Sequence, residues 1–347
     1  MSDGNTSVVR SATSYKVTCG GTTFEQPAQD GLQRLTIEDH QDACDMLTLV
    51  VGGTEGQPSW SFNVGDPVEG KLGSGSENLF KGEIISVEPG FQVEGIASMT
   101  IRALDHAHRL GRGRKTRFWE DMKDSDVASE VGAECGLSVD ADATEEVQPY
   151  ILQRNESNIA FLKRLAARNN FLCTVRDGKL QFKKATFSGT TTDVAMGESL
   201  RSVRMSFNTT DMVQKVIVRG WDIKKKEEIV GTATSGDITP IGGGKKGPDV
   251  AAAFGEATAY ITDIPVSSQA MANAVAKAEM ERIARQFCNG TGSIQGNDAV
   301  RAGSMVNFTG LAGNNDGKYY VVGSRHVISN RSGYTTEFTF CSNTYGS

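Results

Sequence analysis

Short runs of alternating apolar and polar residues fill the first hundred positions: Leu35-Thr36-Ile37, Met46 to Val51, Trp60 to Val64, Leu79-Phe80, Ile84 to Val87 and Met99 to Ala103. A period of two puts every second side chain on one face, so each run reads as a half-buried strand. Gly, Asn, Asp and Pro gather between the runs, at "VGGTEGQPS", "NVGDP", "GSGSEN" and "EPGF", and predict turns there. Many short strands punctuated in this way indicate a sandwich or barrel.

The pattern changes after residue 109. Asp124 or Ser125 can cap a helix whose apolar stripe is Val127, Val131 and Cys135 and which Gly136 ends. A second helix starts at Asn155 to Ser157 and sets Phe161, Leu162, Leu165 and Ala166 on one face. It leads into "FLCTVRDGKLQF", two alternating runs joined by Asp177-Gly178, which predicts a hairpin. Residues 110–187 thus read as a small α+β module.

Strands return with Val203, Met205 and Phe207, then Val213 to Val218. The segment 231–258 is expected as a long loop. After it Ser267 or Ser268 starts one clear helix, with Ala272, Ala276, Met280, Ile283 and Phe287 recurring at helical spacing. Met305 to Phe308, Tyr319 to Val322 and Thr335 to Phe340 close the pattern as strands.

The two β regions resemble each other. "VGDPVEGKL" (64–72) matches "AGSMVNFTGL" (302–311), and each is followed by a Gly-containing strand, "KGEIISVEPGF" or "GKYYVVGSRHVIS". Each set then ends in an alternating strand, "SMTIRA" or "YTTEFTF". The chain therefore reads as mainly β (α+β): two antiparallel β-barrel domains with a small α/β insert between them. The expected division is an N-terminal extension over 1–14, a first barrel over 15–108, the insert over 109–190, and a second barrel over 191–347. That last part holds the loop 231–258 and the helix 267–288.

With 347 residues, of which 38% are hydrophobic, there is room for two or three domains. Eight prolines and 39 glycines without a period exclude a collagen-like chain. No window approaches the ~18 consecutive apolar residues of a membrane span, so no membrane insertion is expected. The start "MSDGNTSVVRSATSYKV" lacks the apolar core of a secretory signal, and the chain is expected to stay where it is made unless a larger object carries it out. Six scattered cysteines without a C-x-x-C pair read as free buried thiols. A formal charge of -6 argues against nucleic acid as the main partner. "GGGKKG" (242–247) lacks the spacing of a phosphate loop and reads as a flexible linker; no cofactor is expected.

Chemistry has few candidates. Asp105-His106-Ala107-His108 would put both imidazoles on the same side of a strand, a geometry that suits a metal. No third ligand follows at a metal-site spacing, and Arg109, Arg112, Arg114, Lys115 and Arg117 come next, so no metal is expected and the stretch reads as a turn at the surface. No local pattern selects the two carboxylates of a glycosidase, and no catalytic residue is assigned. Residues 1–100 hold five basic against fourteen acidic side chains, whereas 101–120 holds six basic against two acidic. Charge separated along a chain suits docking or self-assembly, and the five residues Arg109, Arg112, Arg114, Lys115 and Arg117 are the candidate assembly contacts.

Four stretches resemble a known family: "FNVGDPVEGKLGSGSENLFKGEIISVEPGF" (62–91), "IRALDHAHRLGRGRKTRFWEDMKDSDVASEVGAECGL" (101–137), "QRNESNIAFLKRLAARNNFLCTVRDGKLQF" (153–182), and 267–311 with 317–340. In this order they are similar to the baseplate hub proteins of contractile tails and injection systems, the phage late control protein D group, which is related to the hub half of VgrG proteins. The resemblance implies tail-tube-like barrels and a homotrimer that adapts a six-fold inner tube to a three-fold spike. It further implies an inner tube protein, a spike protein and other baseplate proteins as partners. VgrG chains continue into a spike; here no such segment follows, so the spike is expected to be a separate polypeptide. The expected location is the cytoplasm of the producing cell during assembly, then the phage tail or injection particle. The alternatives are a particle-associated cell-wall hydrolase, and a polyanion binder using Arg109 to Arg117.

Overall fold

Seven strands carry the first alternating region: β1 (Tyr15–Cys19), β2 (Thr22–Glu25), β3 (Leu32–His40), β4 (Met46–Gly52), β5 (Pro67–Leu72), β6 (Phe80–Gly90) and β7 (Ser98–Asp105). The computed structural model describes residues 14–25, 31–52, 61–73, 78–91, 98–223, 225–329 and 333–346. The extension up to residue 13, Trp60 and most of the turns at 51–59 and 73–78 lie outside the described residues. The strands pair antiparallel in the order β3-β4-β7-β6-β5-β1-β2. Their inward positions, among them Leu35, Ile37, Leu47, Leu49 and Ile101, are fully buried in one cluster.

Two expectations change here. Phe62-Asn63-Val64 is no strand: the Asp66 carboxylate accepts from the Asn63 N–H at 2.9 Å, and Gly65 N–H donates to Ile84 O at 2.8 Å, which folds the segment as a turn against β6. "EPGF" is no turn, because β6 runs on through Glu88-Pro89-Gly90 opposite β7. A strand tolerates proline where its missing N–H faces no partner.

The middle region forms α1 (Ala107–Gly111), β8 (Lys115–Lys123), α2 (Asp124–Glu134), β9 (Ser138–Ala141), β10 (Val147–Glu156), α3 (Asn158–Arg168), β11 (Phe171–Arg176) and β12 (Lys179–Lys184). β8 and β10 pair antiparallel, and β11-β12-β9 make a second small sheet with β9 parallel to β12. Asp177 and Gly178 both have positive φ, 51° and 74°, as a tight hairpin turn of this sequence requires. Ser157 caps α3 by accepting from Ala160 N–H at 3.4 Å. Neither Asp124 nor Ser125 caps α2 through its side chain; Lys123 holds the cap position, and the Asp124 carboxylate is taken up by Arg168 and by Asn169 at 2.7 Å. Val127, Val131, Phe161, Leu162 and Leu165 are fully buried in a separate core.

The third region holds β13 (Thr191–Ala195), β14 (Leu200–Phe207), β15 (Lys215–Asp222), β16 (Glu227–Thr234), β17 (Lys245–Lys246), α4 (Gly247–Ala251), β18 (Thr258–Ile261), α5 (Gln269–Arg285), β19 (Cys288–Gln295), β20 (Met305–Thr309), β21 (Gly317–Ser329), β22 (Gly333–Ser342) and β23 (Thr344–Tyr345). Its main sheet runs β14-β19-β22-β21-β20-β13, antiparallel but for β13 beside β20. A smaller sheet, β16-β15-β18, packs against α5, which Ser268 caps by accepting from Met271 N–H at 3.0 Å. The segment 231–258 is more ordered than a loop: it finishes β16, then forms β17 and α4. "GGGKKG" is pinned rather than free, since Lys245-Lys246 pairs with β23 and Ile241 N–H donates to Asn343 Oδ1 at 2.9 Å.

The two β regions repeat one plan. The path β3-β4-β7-β6-β5 corresponds strand for strand to β14-β19-β22-β21-β20. β6 and β21 even bulge at matching places, between Ile84 and Ser86 and between Val321 and Gly323. β21 joins the two halves. Its first part pairs with β20, and Gly323 to Ser329 pairs antiparallel with His40 to Arg34 of β3, which fuses both sets into a 13-stranded sheet. Ile328 and Tyr334 from the second half are buried in the first half's core. The fold is thus mainly β, with curled, largely antiparallel sheets and the α-helices confined to the middle region, α4 and α5.

Candidate functional site: the basic segment and the junction of the cores

The basic run divides in two. Arg109 and His108, both on α1, close on Glu83 of β6, with His108 Nε2 at 2.9 Å from Glu83 Oε2 and the guanidinium paired to the same carboxylate. These hydrogen bonds, that of Arg109 above all, hold the Glu83 carboxyl down at about 2. His106 and His108 lie where the chain turns into α1 after Asp105, not on the strand that a metal reading would need, and His106 approaches Glu83 at 4.0 Å. Among the described residues no His, Cys, Asp and Glu cluster has metal-site geometry.

Lys115 and Arg117, on β8, converge on Glu134 at the end of α2, at 3.2 Å and 2.6 Å. Arg117 also donates to Gln153 Oε1 at 2.8 Å and lies over the Trp119 ring, 4.6 Å from its centroid. The Arg117 pairing holds the Glu134 carboxyl below the usual range. Arg112 and Arg114 remain exposed, and no described acid stands within ion-pair distance of either. Three of the five candidate residues are therefore neutralised inside the chain and two face outward.

A second charged group joins the three cores. Asp39 of β3, 1% exposed, accepts from Arg301 Nε at 3.0 Å and faces Arg176 Nη2 at 3.9 Å. Arg176 comes from β11 and also donates to Ala302 O; Arg301 comes from the loop before β20 and reaches Leu79 O at 3.5 Å. Two further buried carboxylates stand close by. Asp45 accepts from His40 N–H at 2.9 Å, and Asp105 accepts from Ala107 N–H at 3.0 Å. Burial raises both, Asp105 to about 7, with the neighbouring Asp39 charge adding to the rise in each. The three carboxylates are buried, at 1%, 8% and 5% exposed.

Sequence reading missed this junction, because Asp39, Arg176 and Arg301 lie far apart in the chain. One signal was present. Asp39 follows Leu35 and Ile37 at the inward period of β3, and a charge on the buried face of a strand requires a partner.

Large apolar side chains also stay at the surface. Phe118 and Tyr150 stack at 5.5 Å on the outer face of β8 and β10, and Trp221, Ile223 and Tyr260 are exposed around the β15 sheet. All six cysteines are free, four of them buried. No described helix is long and apolar enough to cross a membrane.

A family model described as the Alg8 N-terminal domain matches residues 59–330, more than half of the chain. A curated relative, the probable baseplate hub protein of Escherichia phage 186, is 28% identical over 211 residues, which cover 59% of this chain and 53% of that protein. The chain thus matches about half the length of that relative. The structure of the 43 kDa tail protein of prophage MuSo2 from Shewanella oneidensis is similar at a TM-score of 0.71, with 14% identity, 95% of this chain covered and 98% of that one. A type VI secretion component of E. coli, described as structurally similar to the T4 tail proteins gp27 and gp5, aligns at 0.62, with 9% identity over 93% of this chain and 77% of that one. The fold is that of these tail and secretion proteins, and the resemblance to baseplate hub proteins holds.

Proposed function

The chain belongs to the family described as the Alg8 N-terminal domain, and from its likeness to a baseplate hub protein and the shared tail-protein fold we propose that it is a structural baseplate hub of a contractile tail or injection system. The reading is of a homotrimer that adapts a six-fold inner tube to a three-fold spike, with tube, spike and other baseplate proteins as partners. Its work is mechanical, and no catalytic step is assigned to it. The observation that carries this is the internal repeat: one chain presents the same five-strand path twice, already joined edge to edge. Three such chains offer six quasi-equivalent units to one side and three whole subunits to the other. Quasi-equivalent units need complementary edges for a head-to-tail ring to close.

The division at residues 108 and 190 is part of the proposal, and the separate cores support it. So is the contact role of the basic segment, carried by Arg112 and Arg114, the members left without a described in-chain acid. Permanent interfaces bury roughly 2,000–5,000 Å² and are rich in apolar side chains, which suits the exposed Phe118, Tyr150, Trp221 and Ile223. Assembly in the cytoplasm of the producing cell, followed by incorporation into the particle, completes the reading. Multi-angle light scattering tests it: the purified chain should run near three times 37.2 kDa, and a well-behaved monomer at micromolar concentration would overturn it.

A further inference from the structure

β10 carries apolar side chains on both faces. Ile151 is buried in the core of the middle region, while Tyr150 and Leu152 on either side of it are exposed. Leu152 stands opposite Phe118 of β8, itself exposed and stacked on Tyr150. A strand that is apolar on both faces is built to be covered on both, yet among the described residues β8 and β10 form a sheet of only two. The groove beside β10, about 1040 Å³ in volume, continues the apolar surface. Its far wall is the end of β15, where Trp221 is 57% exposed, followed by the exposed Ile223. Contiguous exposed apolar surface of this kind marks a docking site.

The backbone of β10 is on offer as well. β8 takes one edge from Val147 to Glu156, and no described strand pairs with the other, which lines the groove. Side chains serve β10 there instead: Leu152 O accepts from Arg164 Nη2 at 2.6 Å, and Arg154 N–H donates to Glu156 Oε1 at 3.4 Å. Pro149 has no N–H to give and is tolerated on an open edge. The groove is also basic. Arg154, Arg164, Arg168 and Arg219 line it against Glu156 and Asp222. Glu156 takes Arg164 at 2.7 Å, Asp124 takes Arg168, and Arg219 meets the half-exposed Glu228 of β16 at 3.4 Å. No described acid stands within ion-pair distance of the exposed Arg154 side chain. We infer that an extended segment of a second protein, apolar along its length and acidic at one end, adds to the free edge of β10 as a third strand. Its apolar side chains cover Tyr150 and Leu152 and meet Trp221, and its acidic end lies beside Arg154. Strand addition takes its affinity from main-chain hydrogen bonds and its specificity from alternate side chains. The inference goes beyond the hub reading and stands on the groove alone.

The test titrates the whole chain with a synthetic peptide as long as β10, ten residues, with a valine and threonine centre and glutamates at both ends so that either strand direction is served. Trp221 is the reporter: covering it should shift its fluorescence to the blue in a saturable way, and Trp221→Phe should remove the shift. Arg154→Glu should raise the dissociation constant about fivefold or more. A peptide with lysine in place of glutamate should bind more weakly by a similar factor, and one with prolines in its centre should not bind, because a proline brings no N–H to the ladder. An unmoved emission at millimolar peptide would overturn the inference, as would equal binding of the lysine or the proline version. If Leu152→Asp turned a trimeric chain into a monomer in light scattering, the groove would belong to a second copy and the inference would fall. A parent chain that is monomeric yet binds the peptide would remove the hub reading and leave the groove standing.

Discussion

At the scale of single residues, the two halves fill equivalent space in opposite ways. In the first half Leu47 and Leu49 of β4 lie beside Ala103 and Ile101 of β7. In the second half Gly290 and Gly292 of β19 lie beside Phe340 and Phe338 of β22. A Cβ at Gly290 would meet the Phe340 ring at 2.3 Å, and one at Gly292 the Phe338 ring at 2.4 Å. Gly290→Ala should therefore cost about 1–3 kcal/mol by overpacking, read as a lower urea midpoint with an unchanged slope. Such exchanges of bulk between strands make the repeat faint in the sequence, because equivalent positions carry side chains of very different size. The junction carboxylates give a pH prediction. Asp105 is held above its ordinary value, so the folded chain binds a proton there that the unfolded chain has released. Its contribution is fully present below about pH 4 and is lost as pH rises through about 7. Asp105→Asn, which stays neutral, should show a smaller fall in melting temperature than the parent between pH 5 and 8. An equal fall would mean that the carboxyl is already ionised throughout.

At the scale of elements, the helices were the most legible part. Leu165 on α3 and Ile283 on α5 belong to stripes read from spacing alone, and both are buried. Leu165→Asp should abolish folding, because it places a carboxylate without a partner in the core that Trp119 and Phe161 close by stacking at 5.2 Å. Far-UV circular dichroism and solubility check this, and a soluble, normally folded variant would show that the stripe faces elsewhere. Most strands with strict alternation were equally plain, the run ending at Val64 excepted, as was the Asp177-Gly178 turn. Legibility failed where a tertiary partner decides. "EPGF" contains turn residues yet stays in β6 because β7 runs beside it. "GGGKKG" is rich in glycine yet is fixed by β23, a hundred residues downstream. The His106 and His108 pair was noticed from the spacing of a strand, whereas both sit at the start of α1 and approach one carboxylate on β6. The basic run was visible as charge, while its partition needed the positions of Glu83 and Glu134.

At the scale of the whole molecule, the three cores are tied by three kinds of bond: the β3 and β21 ladder, the Asp39 group with Arg176 and Arg301, and the side chains Ile328 and Tyr334 that cross between halves. The ladder has a temporal meaning. β21 is translated nearly three hundred residues after β3, so while the chain is still being made the leading half exposes a bare strand edge and an unfilled core. Contacts this distant in sequence form late and slowly. A nascent or prematurely terminated product thus presents the same sticky border that the finished subunit conceals. The border stays open until residues 323–334 have left the ribosome, and aggregation through it is the hazard of that interval.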